Sequence, residues 1–167
     1  IEYQVFGTDL DKESVSYAKN GVYPLRDVNA IPRQYLSNLW KMGSGSVKEF
    51  AAVGSVLRKK VQFEPLNLFE TKSWKPTEKF DVIFCRNVFI YFSEADVKKV
   101  ALDLSSRLDS EGLFVSGISE PLRFNEWKLK NLGSNCYQKI EANPKPSSLP
   151  VTIPASAPLS SVTPPEN

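Results

Sequence analysis

The stretch Phe80–Phe92, FDVIFCRNVFIYF, decides the fold class. It opens as an almost unbroken apolar run, which suits a strand over Phe80–Arg86 buried on both faces of a parallel sheet. Polar side chains arrive where that strand should end: Arg86, Asn87 and then Tyr91. In open α/β sheets, ligands bind just beyond the carboxyl ends of the strands. An arginine there carries a desolvation cost unless it meets an anion or an acceptor. The segment therefore reads as the floor of a binding site holding a guanidinium. A plainer reading competes with it: Arg86 caps a helix or pairs with a nearby carboxylate, and Asn87 is the N-cap of a following turn. Taken alone, these residues leave the two readings even.

Working outward, Ser93-Glu94-Ala95-Asp96 has the form of a capping box. Val97, Val100, Ala101, Leu104 and Leu108 then recur at helical spacing until Asp109-Ser110-Glu111-Gly112 breaks the pattern. Leu113–Ile118 reads as a second buried strand and Cys136–Ile140 as the last one. Upstream, Tyr3–Gly7 reads as a strand, Lys12–Lys19 as a helix ended by Asn20-Gly21, and Gly21–Pro24 as a connector. Val28–Leu39 reads as partly helical, with Pro32 near a helix start. Apolar residues flank Gly43-Ser44-Gly45-Ser46, so Trp40–Phe63 reads as a small antiparallel excursion rather than a flexible linker. Val61–Leu68 is strand-like up to Pro65 and then turns.

This alternation of strands and helices predicts a Rossmann-like, doubly wound α/β sheet with a small antiparallel β-subdomain inserted at 40–63. The domain expectation is 1–143, followed by a tail over 144–167 whose prolines lie among Ser, Thr, Val and Ala. That composition builds no core and reads as a disordered or polyproline-like tail or linker.

Composition narrows the chemistry. The chain has 167 residues, 41% hydrophobic and 24% charged, with net charge +2. That is an ordinary globular balance, too nearly neutral to argue for nucleic acid or a membrane surface. No apolar run approaches the roughly 20 residues that span a bilayer, and no signal peptide is read at Ile1. Two cysteines form no disulfide framework, so a reducing cytoplasm is the expected location, with Cys85 a small apolar filler. There is no histidine, which removes Ser-His-Asp and Cys-His mechanisms within this chain and leaves no expected metal site.

The remaining candidates sit at strand ends. Asp9 closes the first strand, where an acid can accept hydrogen bonds from the two hydroxyls of a ribose, although Asp is also a common N-cap. Asn67 follows the next strand, with an amide that both donates and accepts at a base edge. Arg86, Asn87 and Tyr91 follow the third. Three successive strand ends carrying such groups form a stronger pattern than any one of them.

GTDLD, NGVYPL, VQFEPLNLFE, FDVIFCRNVFIYF and LDSEGLFVSGISE together resemble the chemotaxis receptor methyltransferases of the CheR type, over about Val5 to Glu120. FCRNVFIYF is highly specific to that family, whereas GTDLD is shared with many methyltransferases. The resemblance implies methylation of glutamate side chains on chemoreceptors, with S-adenosylmethionine as cofactor and S-adenosylhomocysteine as product. It implies that Asp9 binds the cofactor ribose and that Asn67 and Leu68 hold the adenine. Arg86 and Asn87 would lie beside the methionine end, and Arg86 and Tyr91 would position the substrate glutamate. The implied partner is the cytoplasmic domain of a methyl-accepting receptor, touched by the β-subdomain.

The likeness has two departures. The family's glycine-containing first strand, the helix after it and an N-terminal helical domain have no counterpart in these residues. Activity is therefore expected to need sequence beyond them. In GISEP, residues 117–121, Ile118 and Pro121 stand where the family commonly has histidine and asparagine. Two other functions remain in view. One is a non-catalytic methyltransferase-like binding module within a signalling protein. The other is a small-molecule methyltransferase, against which FCRNVFIYF and the Gly43–Gly45 turn argue.

Overall fold

A computed structural model describes residues 2–36, 38–70, 74, 79–122 and 129–140. The Pro-rich tail read from Pro144 lies outside the described residues. The chain divides into two compact units: Ile1–Phe80 with Tyr91–Arg107, and Asp81–Ile90 with Leu108–Asn167.

In the first unit, β1 (Val5–Asp9) leads into α1 (Lys12–Asn20). Asp11 caps α1, its carboxylate accepting from the backbone N–H groups of Glu13 and Ser14 at 3.1 and 3.0 Å. Gly21 ends the helix at φ 64°, a left-handed conformation that suits glycine. β1 pairs in parallel with β5 (Val61–Pro65), from Val5 opposite Val61 to Asp9 opposite Pro65. β1 runs two residues later than Tyr3–Gly7 suggests, because this pairing carries the extended backbone to Asp9.

Between these strands lie β2 (Val22–Pro24), α2 (Leu25–Val28), β3 (Trp40–Met42), β4 (Phe50–Val53) and α3 (Ser55–Arg58). β2, β4 and β3 form an antiparallel sheet in that order. The hairpin expected around Gly43–Ser46 joins β3 to β4, with Met42 opposite Ala51. Two expectations are corrected here. Gly21–Pro24 is not a mere connector: Val22–Pro24 form an edge strand, where a proline lacking N–H is tolerated. Val61–Phe63 do not join the antiparallel excursion; they pair in parallel with β1. Among the described residues of 28–39, a short 3-10 turn at Arg33–Tyr35 is the helical structure that follows α2.

α4 (Glu94–Ser106) starts where the capping pattern places it. The Asp96 N–H donates to Ser93 Oγ at 3.2 Å, and Ser93 Oγ donates to Asp96 Oδ2 at 2.6 Å. Val100, Ala101 and Leu104 form its buried stripe. Trp74 packs against Phe6 and Phe80, with the Arg107 guanidinium 4.6 Å from its ring centre.

In the second unit, β6 (Phe80–Cys85), β7 (Leu108–Ser116), β8 (Leu129–Gly133) and β9 (Cys136–Lys139) form a sheet in the order β6-β7-β9-β8. β6 therefore lies at an edge among the described strands, not at the centre. Nor is it buried on both faces: Ile83 and Cys85 are buried, while Val82 and Phe84 are 41% and 71% exposed. Phe114 and Leu108 are wholly enclosed, and Phe89 stacks on Phe114 with ring centres 6.4 Å apart. Each such side chain contributes about 1.5–3 kcal/mol. β7 starts at Leu108 and runs through Asp109–Gly112, which read as a break; Glu111 accommodates this with φ 62°. Gly117 and Ile118 lie past the strand end. β8 was not foreseen. Its turn into β9 places Ser134 and Asn135 at φ 51° and 57°, as a tight hairpin requires.

Candidate functional site

The first unit carries Asp9, Asn67, Leu68 and Tyr91. The Leu66 N–H donates to the Asp9 carbonyl at 2.8 Å, tying the end of β1 to the end of β5. Asn67 follows one residue beyond that tie. The Asp9 side chain is exposed, and its Oδ1 accepts the Asp11 N–H at 2.9 Å. Its Oδ2 makes no hydrogen bond among the described residues.

The half-buried Asn67 amide serves its own turn: Oδ1 accepts from Phe69 N–H at 3.0 Å and Nδ2 donates to Glu70 Oε1 at 3.3 Å. One N–H and one lone pair of that amide remain for another partner. Leu68 is half-buried, and Tyr91 closes a 3-10 turn at Phe89–Tyr91 with its side chain 79% exposed. A groove of about 500 Å³ in this unit is lined by Tyr23, Trp40, Leu57, Arg58 and Phe63 among others, and neither Asp9 nor Asn67 contributes to it.

The second unit carries Arg86 and Asn87. Both side chains are exposed. This corrects the desolvation argument: Arg86 does not need an anion to compensate for burial. The structural alternative fares no better, because Arg86 meets no carboxylate and Asn87 makes no side-chain capping bond among the described residues. Asn87 holds φ 60°, a left-handed conformation that costs a non-glycine residue roughly 1–2 kcal/mol and asparagine less.

What holds that turn is a residue the sequence reading passed over. Glu120 is 6% exposed, and its carboxylate accepts three backbone N–H groups. Oε2 takes Asn87 and Gly117, both at 2.8 Å, and Oε1 takes Ile90 at 3.1 Å. The Gly117 bond is buried, and leaving its donor unpaired would cost about 1–3 kcal/mol; the Asn87 and Ile90 bonds are part-buried. Ser116 Oγ donates to the Glu120 carbonyl at 2.8 Å, and Asn135 Nδ2 donates to the carbonyls of Gly117 and Ile118. The signal was present in GISE: a glutamate three residues past a glycine that ends a buried strand. Cys85 lies nearby in the same unit, its thiol pushed up to about 12 by burial and by the Glu120 charge.

Among the described residues, no helix is long and apolar enough to cross a membrane, and no cluster of three or more His, Cys, Asp or Glu could hold a metal ion.

A family model described as "CheR methyltransferase, SAM binding domain" matches residues 1–138. Chemotaxis protein methyltransferase 2 of Pseudomonas aeruginosa is 31% identical over 134 residues, covering 80% of this chain and 48% of that protein. The chemotaxis protein methyltransferase of Escherichia coli is 30% identical, over 81% of this chain and 47% of that protein. The Borreliella burgdorferi protein of the same name is 33% identical, over 75% and 43%. The chain thus spans about half the length of the curated relatives it matches.

Proposed function

The chain belongs to the CheR methyltransferase family, and from that premise we propose that the whole gene product methylates glutamate side chains on chemoreceptors, using S-adenosylmethionine. The observation that carries this reading is Arg86: an exposed guanidinium on a turn fixed by Glu120, with no carboxylate partner among the described residues. It is available to an incoming acidic side chain.

The residues present suit the cofactor. Asp9 Oδ2 is open to hydroxyl donors, as a ribose requires, and the Asn67-Leu68 turn beside it would hold the adenine. Arg86 and Asn87 would hold the methionine end. When bound, S-adenosylmethionine supplies an electrophilic methyl group.

This chain's residues have the simpler task of presenting a nucleophile. A glutamate carboxylate is already ionised at pH 7, so no strong base is needed and the absence of histidine is no handicap. Arg86 would bind one carboxylate oxygen and leave the other to attack, and Tyr91 would help position the same side chain. Holding that oxygen in line with the methyl group, away from water, is the main contribution.

The methyltransferase portion would occupy 1–143 as part of a Rossmann-like, doubly wound sheet. The β2-β4-β3 sheet, with Met42 and Phe50 exposed, would touch the receptor's cytoplasmic domain. Such a substrate implies a cytoplasmic protein. The test is binding of S-adenosylmethionine by the whole gene product together with methyl transfer to a receptor signalling fragment. Binding without transfer would leave a methyltransferase-like binding module instead.

A further inference from the structure

We propose that Glu120 is a positioning residue: its carboxylate sets the Arg86-Asn87 turn against the Gly117 turn, and through them the acceptor site. This rests on the methyltransferase reading above. Arg86 has no side-chain partner of its own among the described residues, so its placement depends on the backbone beneath it. That backbone is fixed at Asn87, whose left-handed conformation is held by the N–H bond to Glu120 Oε2. The same oxygen fixes Gly117 at the end of β7, and Oε1 fixes Ile90 at the far side of the Asn87 turn. One side chain therefore spans the ends of two neighbouring strands.

The site is built for this contact. A methyl group on Gly117 would overlap Glu120 Oε2 and come within 3.0 Å of the Asn87 nitrogen, so only glycine permits the approach. Glu120 enters by its own tight turn, its N–H donating to the Gly117 carbonyl at 3.0 Å. No lysine or arginine pairs with Glu120 among the described residues; its charge is met by backbone donors alone. A residue serving only to close β7 would have no need of Asn87 or Ile90.

The experiment compares Glu120→Gln, Glu120→Asp and Gly117→Ala in the whole gene product. Methyl transfer to a receptor signalling fragment, S-adenosylmethionine affinity, melting temperature and amide exchange at Asn87, Ile90 and Gly117 are measured together. Glutamine brings an NH₂ donor against an N–H donor, so the turn should shift. The expected result is about a 100-fold fall in kcat, the scale of an ångström misplacement, in protein that still melts cooperatively. Glu120→Asp should fall between it and wild type. Gly117→Ala should reproduce the loss with Glu120 intact.

A purely structural role would lower the melting temperature and leave kcat per folded molecule unchanged; that result overturns the positioning role. So does free exchange of the Asn87 and Ile90 amides in wild type, a measurement that stands even where Glu120→Gln fails to fold. An inactive wild type that binds no cofactor overturns the methyltransferase reading itself, and the positioning role with it. An active wild type beside a folded, fully active Glu120→Gln overturns the positioning role alone.

Discussion

The backbone N–H of Leu66 donates to the carbonyl of Asp9 at 2.8 Å, so the first two parallel strands end side by side. An exposed carboxylate and the Asn67 turn are thereby presented together at the carboxyl end of a parallel pair, the position at which open α/β sheets take their ligands.

Asp9→Asn should weaken S-adenosylmethionine binding by about 1.5–3 kcal/mol, the range for hydrogen bonds to a charged group. Calorimetry on the whole gene product measures it directly. Unchanged affinity would remove Asp9 from the cofactor site.

Arg86→Lys keeps the charge and loses the planar fork. It should impair methyl transfer far more than cofactor affinity. Tyr91→Phe, which removes a single hydroxyl, should do the same more mildly. Wild-type rates in both variants would exclude a substrate role, whereas parallel losses of rate and affinity would assign both residues to the cofactor pocket.

The Asp11 cap gives a pH dependence of known sign. The Ser14 hydroxyl, followed by the Glu13 and Ser14 backbone N–H groups, holds the Asp11 carboxyl below its ordinary value of 3.8. A carboxyl lowered by folding stabilises fully above its unfolded value and loses that contribution as pH falls through the folded one. Asp11→Asn should therefore melt below wild type near neutral pH, and the two melting curves should converge in acid below pH 3.8. A gap that persists unchanged there would assign the effect to something other than the carboxylate.

Cys85, with its thiol pushed up to about 12, should resist alkylation at pH 8 in the native protein and react once unfolded. Mass spectrometry of peptides from native and denatured samples distinguishes the two states. Rapid native labelling would show that β6 opens readily.

Local signals were the most legible part of the fold. Gly21 ends α1 and Ser93 starts α4 where the sequence places them, because caps depend on a few adjacent residues, although the N-cap of α1 is Asp11 and not Asp9. Strand partners were less legible, since pairing is decided at a distance: Val61–Phe63 could not announce a parallel partner in Val5–Gly7. The apolar run at Phe80–Cys85 signalled a strand, but not that Phe84 would stand open on one face. At the site, Asp9 and Arg86 were legible as polar residues at strand ends, while the cofactor and substrate roles proposed for them come from the family resemblance. Glu120 was signalled only by its place three residues past Gly117; its bonds to Asn87 and Ile90, 33 and 30 residues away in sequence, leave no side-chain signature.

The most direct test of the central claim is transfer of labelled methyl from S-adenosylmethionine to a receptor signalling fragment by the whole gene product. The expected result is a base-labile methyl ester on receptor glutamates, formed by wild type and largely lost in Arg86→Lys. Cofactor binding without any methyl ester, or esters formed equally well by Arg86→Lys, would contradict the account.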